Sequence, residues 1–236
     1  IRKQVKILII PFIIGIAIVI YNVVRMPRFN MKFIYDMVFQ VCIVLLVVVF
    51  LYYIRVTLKN MTSKKLLVVV DYQKDFVDGA LGAPGTKELE PIIVEKIEQY
   101  KKDNQDVIFT KDTHYTNYLT TREGKHLPVE HCIIDSEGHA LYGKVADYEK
   151  DAKKVFNKTT FGSRELAKYI SRSDYEEVEF CGLVSNICVL SNIIMTQTFN
   201  EKVEIFVDLK ATKGLSEEVD SSFKTYLQNI TVNIKE

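Results

Sequence analysis

The sequence predicts an α/β domain, a three-layer sandwich around a mostly parallel sheet, preceded by a hydrophobic two-helix membrane segment. Three observations carry this. From residue 64 onward, short β-branched apolar runs alternate with stretches of helical period, the pattern of buried parallel strands joined by crossover helices. Several of those runs end on a residue able to do chemistry, Asp71, Asp112 and Lys158 among them. Before residue 64 stand two runs of 18 residues, 7–24 and 37–54, without a charged side chain, and each reaches the lower length limit for a helix crossing a bilayer.

Taken in order, the first two elements are membrane helices at about 7–24 and 35–54. Pro11 and Gly15 are tolerable inside such a helix. The first run is too long for a signal-peptide core and lacks a small-residue cleavage site. Residues 1–63 hold 8 Lys/Arg and 1 Asp, net +7, whereas residues 64–236 hold 23 Lys/Arg and 29 Asp/Glu, net −6. If both runs span, the outer flanks carry 7 basic residues and the connecting turn 3. The excess of basic residues then places both ends, and the 64–236 domain, in the cytoplasm. The acidic balance of that domain excludes nucleic acid as its main partner.

Residues 57–63 read as a polar linker, and the alternation begins after it. Residues 66–70 form a first strand ending at Asp71, and Ile92, Ile93, Ile97 and Tyr100 keep a helical period. Strands follow at 107–110 and 155–157, then a helix at 165–170 with Ser163 as its N-cap. A strand at 178–184 runs into an apolar helix at 187–199. A strand at 203–207 ends at Asp208, and a helix at 216–227 and a strand at 230–234 close the chain. The stretch 113–151 is the least regular, and a loop of that length in a compact domain is more often functional than idle. In parallel α/β sheets, ligands bind beyond the carboxyl ends of the strands. Asp71, Asp112, Lys158 and the turn carrying Cys188 all fall there.

The 4 cysteines, Cys42, Cys132, Cys181 and Cys188, form no C-x-x-C pair and no disulfide framework, which fits a reducing compartment. Cys188 stands where a strand-like run turns into a helical one. There the unpaired N–H groups and the positive end of the macrodipole favour the thiolate. Cys181 lies mid-strand without a charged helper and reads as core; Cys132 receives no role.

Four motifs stand in order along the domain. They are Asp71-Tyr-Gln73-Lys-Asp75-Phe76, Asp112-Thr-His114 with His131, Lys158-Thr-Thr-Phe-Gly-Ser, and Gly182-Leu-Val-Ser-Asn-Ile-Cys188-Val. From residue 65 to the C-terminus the chain resembles the isochorismatase-like cysteine hydrolases, in particular their nicotinamidase-like branch. The resemblance implies a triad in which Cys188 is the nucleophile, Asp71 the proton acceptor and Lys158 the group that keeps charged forms stable. It implies an oxyanion hole from the backbone N–H groups of Val184 and Cys188, a cis Leu183–Val184 bond, and substrate contacts from Gln73 and Phe76. It also implies a divalent ion, Zn, Mn or Fe, on Asp112, His114 and His131, with Glu123 or His126 as the fourth ligand. His139 has no counterpart in the pattern.

The implied activity is metal-assisted hydrolysis of nicotinamide or a close carboxamide to the acid and ammonia. The D-x-H…H set favours an amidase over the isochorismatase branch, whose vinyl-ether chemistry uses neither metal nor cysteine. A related amidase acting on a carbamoyl or ureido compound stays open, as does a membrane-tethered, non-catalytic binding module. Expected partners are the small-molecule substrate, the membrane and, as in many family members, further copies of the chain.

Overall fold

A computed structural model describes Tyr21 and residues 31–61 and 64–235. The chain divides into two units, Ile1–Thr62 and Ser63–Glu236. The expected membrane helix at 7–24 lies outside the described residues. The second expected helix falls inside α1 (Met31–Met61). Its stretch Ile34–Ile54, 21 residues of mean hydropathy 2.8, is long and apolar enough to cross a membrane by length and composition.

The second unit is a three-layer α/β domain. Its six strands are β1 (Lys65–Val70), β2 (Asp106–Asp112), β3 (Lys154–Lys158), β4 (Glu177–Leu183), β5 (Glu204–Lys213) and β6 (Asn233–Lys235). They form one sheet in the order β3-β2-β1-β4-β5-β6, with every pairing parallel. The helices are α2 (Lys74–Val77), α3 (Leu89–Lys102), α4 (Arg122–His126), α5 (Arg164–Ser171), α6 (Leu190–Phe199) and α7 (Glu217–Asn229).

Side chains alternate across each strand and build two cores. On one face Leu66, Val68 and Val70 pack with Leu166 and Ile170 of α5, Ile193 of α6 and Phe223 of α7. On the other, Leu67 and Val69 pack with Ile93 and Ile97 of α3 and with Leu141 and Val145 from the long loop. Residues buried on both faces explain why β1 reads as an unbroken apolar run. Ser163 caps α5 as expected, accepting from Leu166 N–H at 3.1 Å.

The chain builds outward from β1 to β3, then returns to β4 on β1's other side. The order therefore reverses between β1 and β4, and crevices for ligands open at such a switch point. Gly182 makes this seam possible. Its φ is +105°, and a Cβ there would stand 2.1 Å from the Val70 carbonyl oxygen, so only glycine lets β4 close on β1.

Some boundaries depart from expectation. β5 runs on to Lys213, past Asp208, because the pairing of β4 with β5 shifts register between Phe180 and Gly182 and resumes at Thr212. Asp208 is therefore mid-strand, ion-paired with Lys96 at 2.5 Å, and not at a strand end. α7 continues to Asn229, and β6 begins only at Asn233, after a left-handed Thr231. The long loop carries α4 and two 3₁₀ turns, Tyr118–Thr120 and Gly143–Tyr148.

Candidate active site

Asp71 leaves β1 in a left-handed conformation, φ 46°, which turns its carboxylate under the end of the sheet. Thr110 of β2 donates to Asp71 Oδ1 at 2.7 Å. Lys158, the last residue of β3, reaches across to Asp71 Oδ2 at 2.6 Å, Asp112 Oδ1 at 3.2 Å and Cys188 Sγ at 3.6 Å. Lys158 and Asp71 form a buried ion pair. Asp71, Lys158 and Cys188 are all buried.

Cys188 sits on a π-helical turn, Ser185–Val189, which precedes α6. The turn hangs from Val184, whose carbonyl accepts from Ile187 and Val189 N–H at 3.1 and 3.2 Å. The Leu183–Val184 bond is cis, as the resemblance implied. The buried setting opposes the thiolate that the helix start favours. Burial pushes the Cys188 thiol well above its ordinary range and the Asp71 and Asp112 carboxylates add to this, with Lys158 opposing. About half a charge from a helix end does not outweigh full desolvation beside two carboxylates. Burial likewise raises Asp71 above its usual range, against the pull of Lys158. Lys158 itself stays charged: burial would lower it, but Asp71 and Cys188 raise it well above an ordinary lysine. Burial thus opposes charge on Cys188 and Asp71, and their proximity favours charge on Lys158.

Beside it, Asp112, His114, Glu123 and His131 each offer one donor atom, all within 4.8 Å of one another. Backbone bonds between His114 and the 132–134 segment, Cys132 O accepting at 3.0 Å and Ile134 N–H donating at 2.8 Å, bring His131 next to His114. His131 Nδ1 donates to the Val129 carbonyl at 2.8 Å, which leaves Nε2 as the ring nitrogen facing Asp112 and Glu123. Phe76 packs edge-on against His131, and Tyr118 lies against both imidazoles. Burial would raise Asp112, but Lys158 and the two imidazoles hold it well below the usual carboxylate range. Burial and Asp112 raise Glu123. Two imidazole nitrogens and two carboxylates, preoriented and mostly buried, fit a divalent cation of the Zn, Mn or Fe type. His126 is exposed and stands outside this cluster.

The Isochorismatase domain family matches residues 65–234. The chain belongs to the isochorismatase family. It is a hydrolase acting on amide C–N bonds. The nicotinamidase of Saccharomyces cerevisiae is 22% identical over 213 residues, 72% of this chain and 98% of that one. The pyrazinamidase/nicotinamidase of Streptococcus mutans superposes with a TM-score of 0.67 at 26% identity, over 73% of this chain and 100% of that one. The pyrazinamidase of Pyrococcus horikoshii, solved in complex with zinc, gives 0.65 at 24% identity, over 73% and 99%.

Within this isochorismatase-family domain, one residue departs from its expected part. Gln73, assigned to substrate contact, is buried with both of its donors committed. Its amide nitrogen donates to the Asp112 and His139 carbonyls at 2.9 and 3.0 Å, and its oxygen accepts from Asp112 N–H at 2.7 Å. No donor is left for a ligand, so Gln73 positions the end of β2. Phe76 is also buried, set as a wall behind His131. Four residues given no site role by the sequence support the site, although Asp75 stands in the first motif and His139 is singled out there without a counterpart. Thr110 orients Asp71, Tyr118 walls the imidazoles, His139 meets Thr113 Oγ1 at 2.9 Å, and Asp75 accepts from Cys132 N–H at 2.7 Å. For Thr110, a threonine in the otherwise apolar core of β2 was the available signal.

Proposed function

We propose that the 64–236 domain hydrolyses a small heteroaromatic carboxamide, nicotinamide foremost, to the acid and ammonia through a Cys188 thioester. The supporting observation is the buried contact of Asp71, Lys158 and Cys188 at the sheet's switch point. In this reading Asp71, made more basic by burial, takes the thiol proton as sulfur attacks the carbonyl carbon. The backbone N–H groups of Val184 and Cys188 accept the developing negative charge. Collapse breaks the C–N bond, and Asp71 returns the proton to the departing ammonia. Asp71 then takes a proton from water as the water attacks the thioester, and passes it to the leaving sulfur. The Lys158 ammonium stays charged throughout and steadies whichever neighbour is anionic.

Asp112, His114, His131 and Glu123 would hold a divalent ion, whose chemistry here is that of a Lewis acid anchoring the heteroaromatic ring. The proposal extends to place: Ile34–Ile54 spans a bilayer and leaves the hydrolase on its cytoplasmic side, in keeping with the basic flanks of the apolar runs. The test of function uses the full chain in detergent, nicotinamide, and Zn, Mn or Fe supplied in turn, with ammonia as readout. Release that Cys188→Ala abolishes is expected. No release with any of the three ions rules out nicotinamide as substrate.

A further inference from the structure

At the end of the sheet opposite the candidate site, the starts of β1 and β3, α5 and the turn after it border an open cavity of about 390 Å³. Its floor is aromatic: Phe156 meets Tyr169 at 5.7 Å between ring centroids, and Tyr169 lies 6.4 Å from Tyr175. Its lining includes four cations, Lys64, Lys154, Lys168 and Arg172, against Glu165 and Asp174, a local net of 4 − 2 = +2. Lys64 pairs with Asp174 and Lys168 with Glu165. Among the described residues, Lys154 and Arg172 have no acidic partner. Lys154 instead stands over the floor, 4.7 Å from the Phe156 centroid and 5.5 Å from that of Tyr169.

This patch runs against the charge of its own domain, which is net −6 over residues 64–236. In sequence it begins soon after the apolar helix. Lys64 follows Met61, the end of α1, by three residues in sequence. Arg55 and Lys59 fall in the last turns of α1, and Lys65 opens β1. A basic cluster directly following a membrane span attracts anionic lipid, at about fivefold in affinity per cation near the surface. Tyrosines favour the same headgroup layer.

We infer that this cavity takes the phosphate of an anionic phospholipid headgroup and docks the hydrolase domain on the bilayer surface. The inference rests on the reading of Ile34–Ile54 as a membrane span. Docked this way, the amino-terminal edge of the sheet meets lipid. The carboxyl-terminal edge, with Cys188, faces water and soluble substrate.

The test is amine-reactive labelling of the full chain in lipid nanodiscs, read residue by residue by mass spectrometry. One set of discs is phosphatidylcholine alone and the other contains phosphatidylserine. Labelling of Lys154 and Lys168 should slow by about fivefold or more in the serine discs, with Lys210 unchanged. The difference should vanish in molar salt, where screening is short-ranged, and in the Lys154→Glu/Arg172→Glu variant. Equal labelling in the two discs overturns the inference. Protection in phosphatidylcholine discs by added inorganic phosphate also overturns it, in favour of a site for a free phosphorylated ligand. Failure of the chain to incorporate into either disc refutes the span and the docking with it, while ammonia release in detergent tests the hydrolase separately.

Discussion

Thr110→Val removes one hydroxyl from the site and little else. Valine keeps the shape of threonine and suits a buried strand, so the change isolates the 2.7 Å hydrogen bond to Asp71 Oδ1. Both residues are fully buried, and a hydrogen bond to a charged acceptor contributes ~1.5–3 kcal/mol. That bond favours the ionised carboxylate. Its loss therefore raises an Asp71 already lifted by burial, by about one to two pH units at 1.4 kcal/mol per unit. The acid limb of the kcat/KM profile against pH should move upward by that amount. At a pH well above the limb, activity should change little. The same loss should lower the midpoint of thermal unfolding by about 3–12 °C, at ~2–4 °C per kcal/mol for a domain of this size. The assays are a pH series of ammonia release and a calorimetric scan. An unmoved acid limb would refute the assignment of Asp71 as the base that this hydroxyl tunes.

Other consequences of the geometry can be checked in parallel. Glu123→Gln should weaken binding of the divalent ion by at least about tenfold and His126→Ala should leave it unchanged, as read by metal titration of the purified chain. Gly182→Ala places a Cβ against the Val70 carbonyl and should cost several kcal/mol, about as much as other severe core substitutions; urea unfolding measures it. Burial would raise Glu179, but hydrogen bonds from Lys235 and Lys96, each at 2.7 Å, reverse this and hold it below the usual range. A carboxyl lowered in the folded state stabilises above its unfolded value of about 4.3 and loses that contribution as pH falls through the folded value. Stability should therefore drop on acidification below about pH 4, and Glu179→Gln should flatten that drop while lowering stability at neutral pH.

What the sequence disclosed followed from local rules. The unbroken apolar run of β1 declares a strand buried on both faces, and the residue just beyond it falls at the carboxyl edge because a parallel sheet puts it there. What it hid depends on contacts distant in sequence. Gln73 reads as a polar group free for a ligand until the backbone 39 and 66 residues away closes on it. Glu123 and His126 lie one turn apart on α4, and only the way Thr121 caps that helix against Tyr118 turns Glu123 inward. The polar run 208–213 resembles a loop, yet the register shift at Gly182 lets it continue β5. The surroundings of the Cys188 thiol are hidden for the same reason. A helix start is visible in sequence, whereas complete burial beside two carboxylates is not.

The central claim is that Cys188 forms a thioester with the acyl group of a carboxamide. Rapid acid quench of the full chain with nicotinamide, followed by peptide mass spectrometry, tests it most directly. The account predicts a transient acyl adduct on the Cys188 peptide, formed no slower than ammonia is released and absent from Cys188→Ala. Ammonia release at an undiminished rate from Cys188→Ala, with no adduct on the native chain, would contradict it.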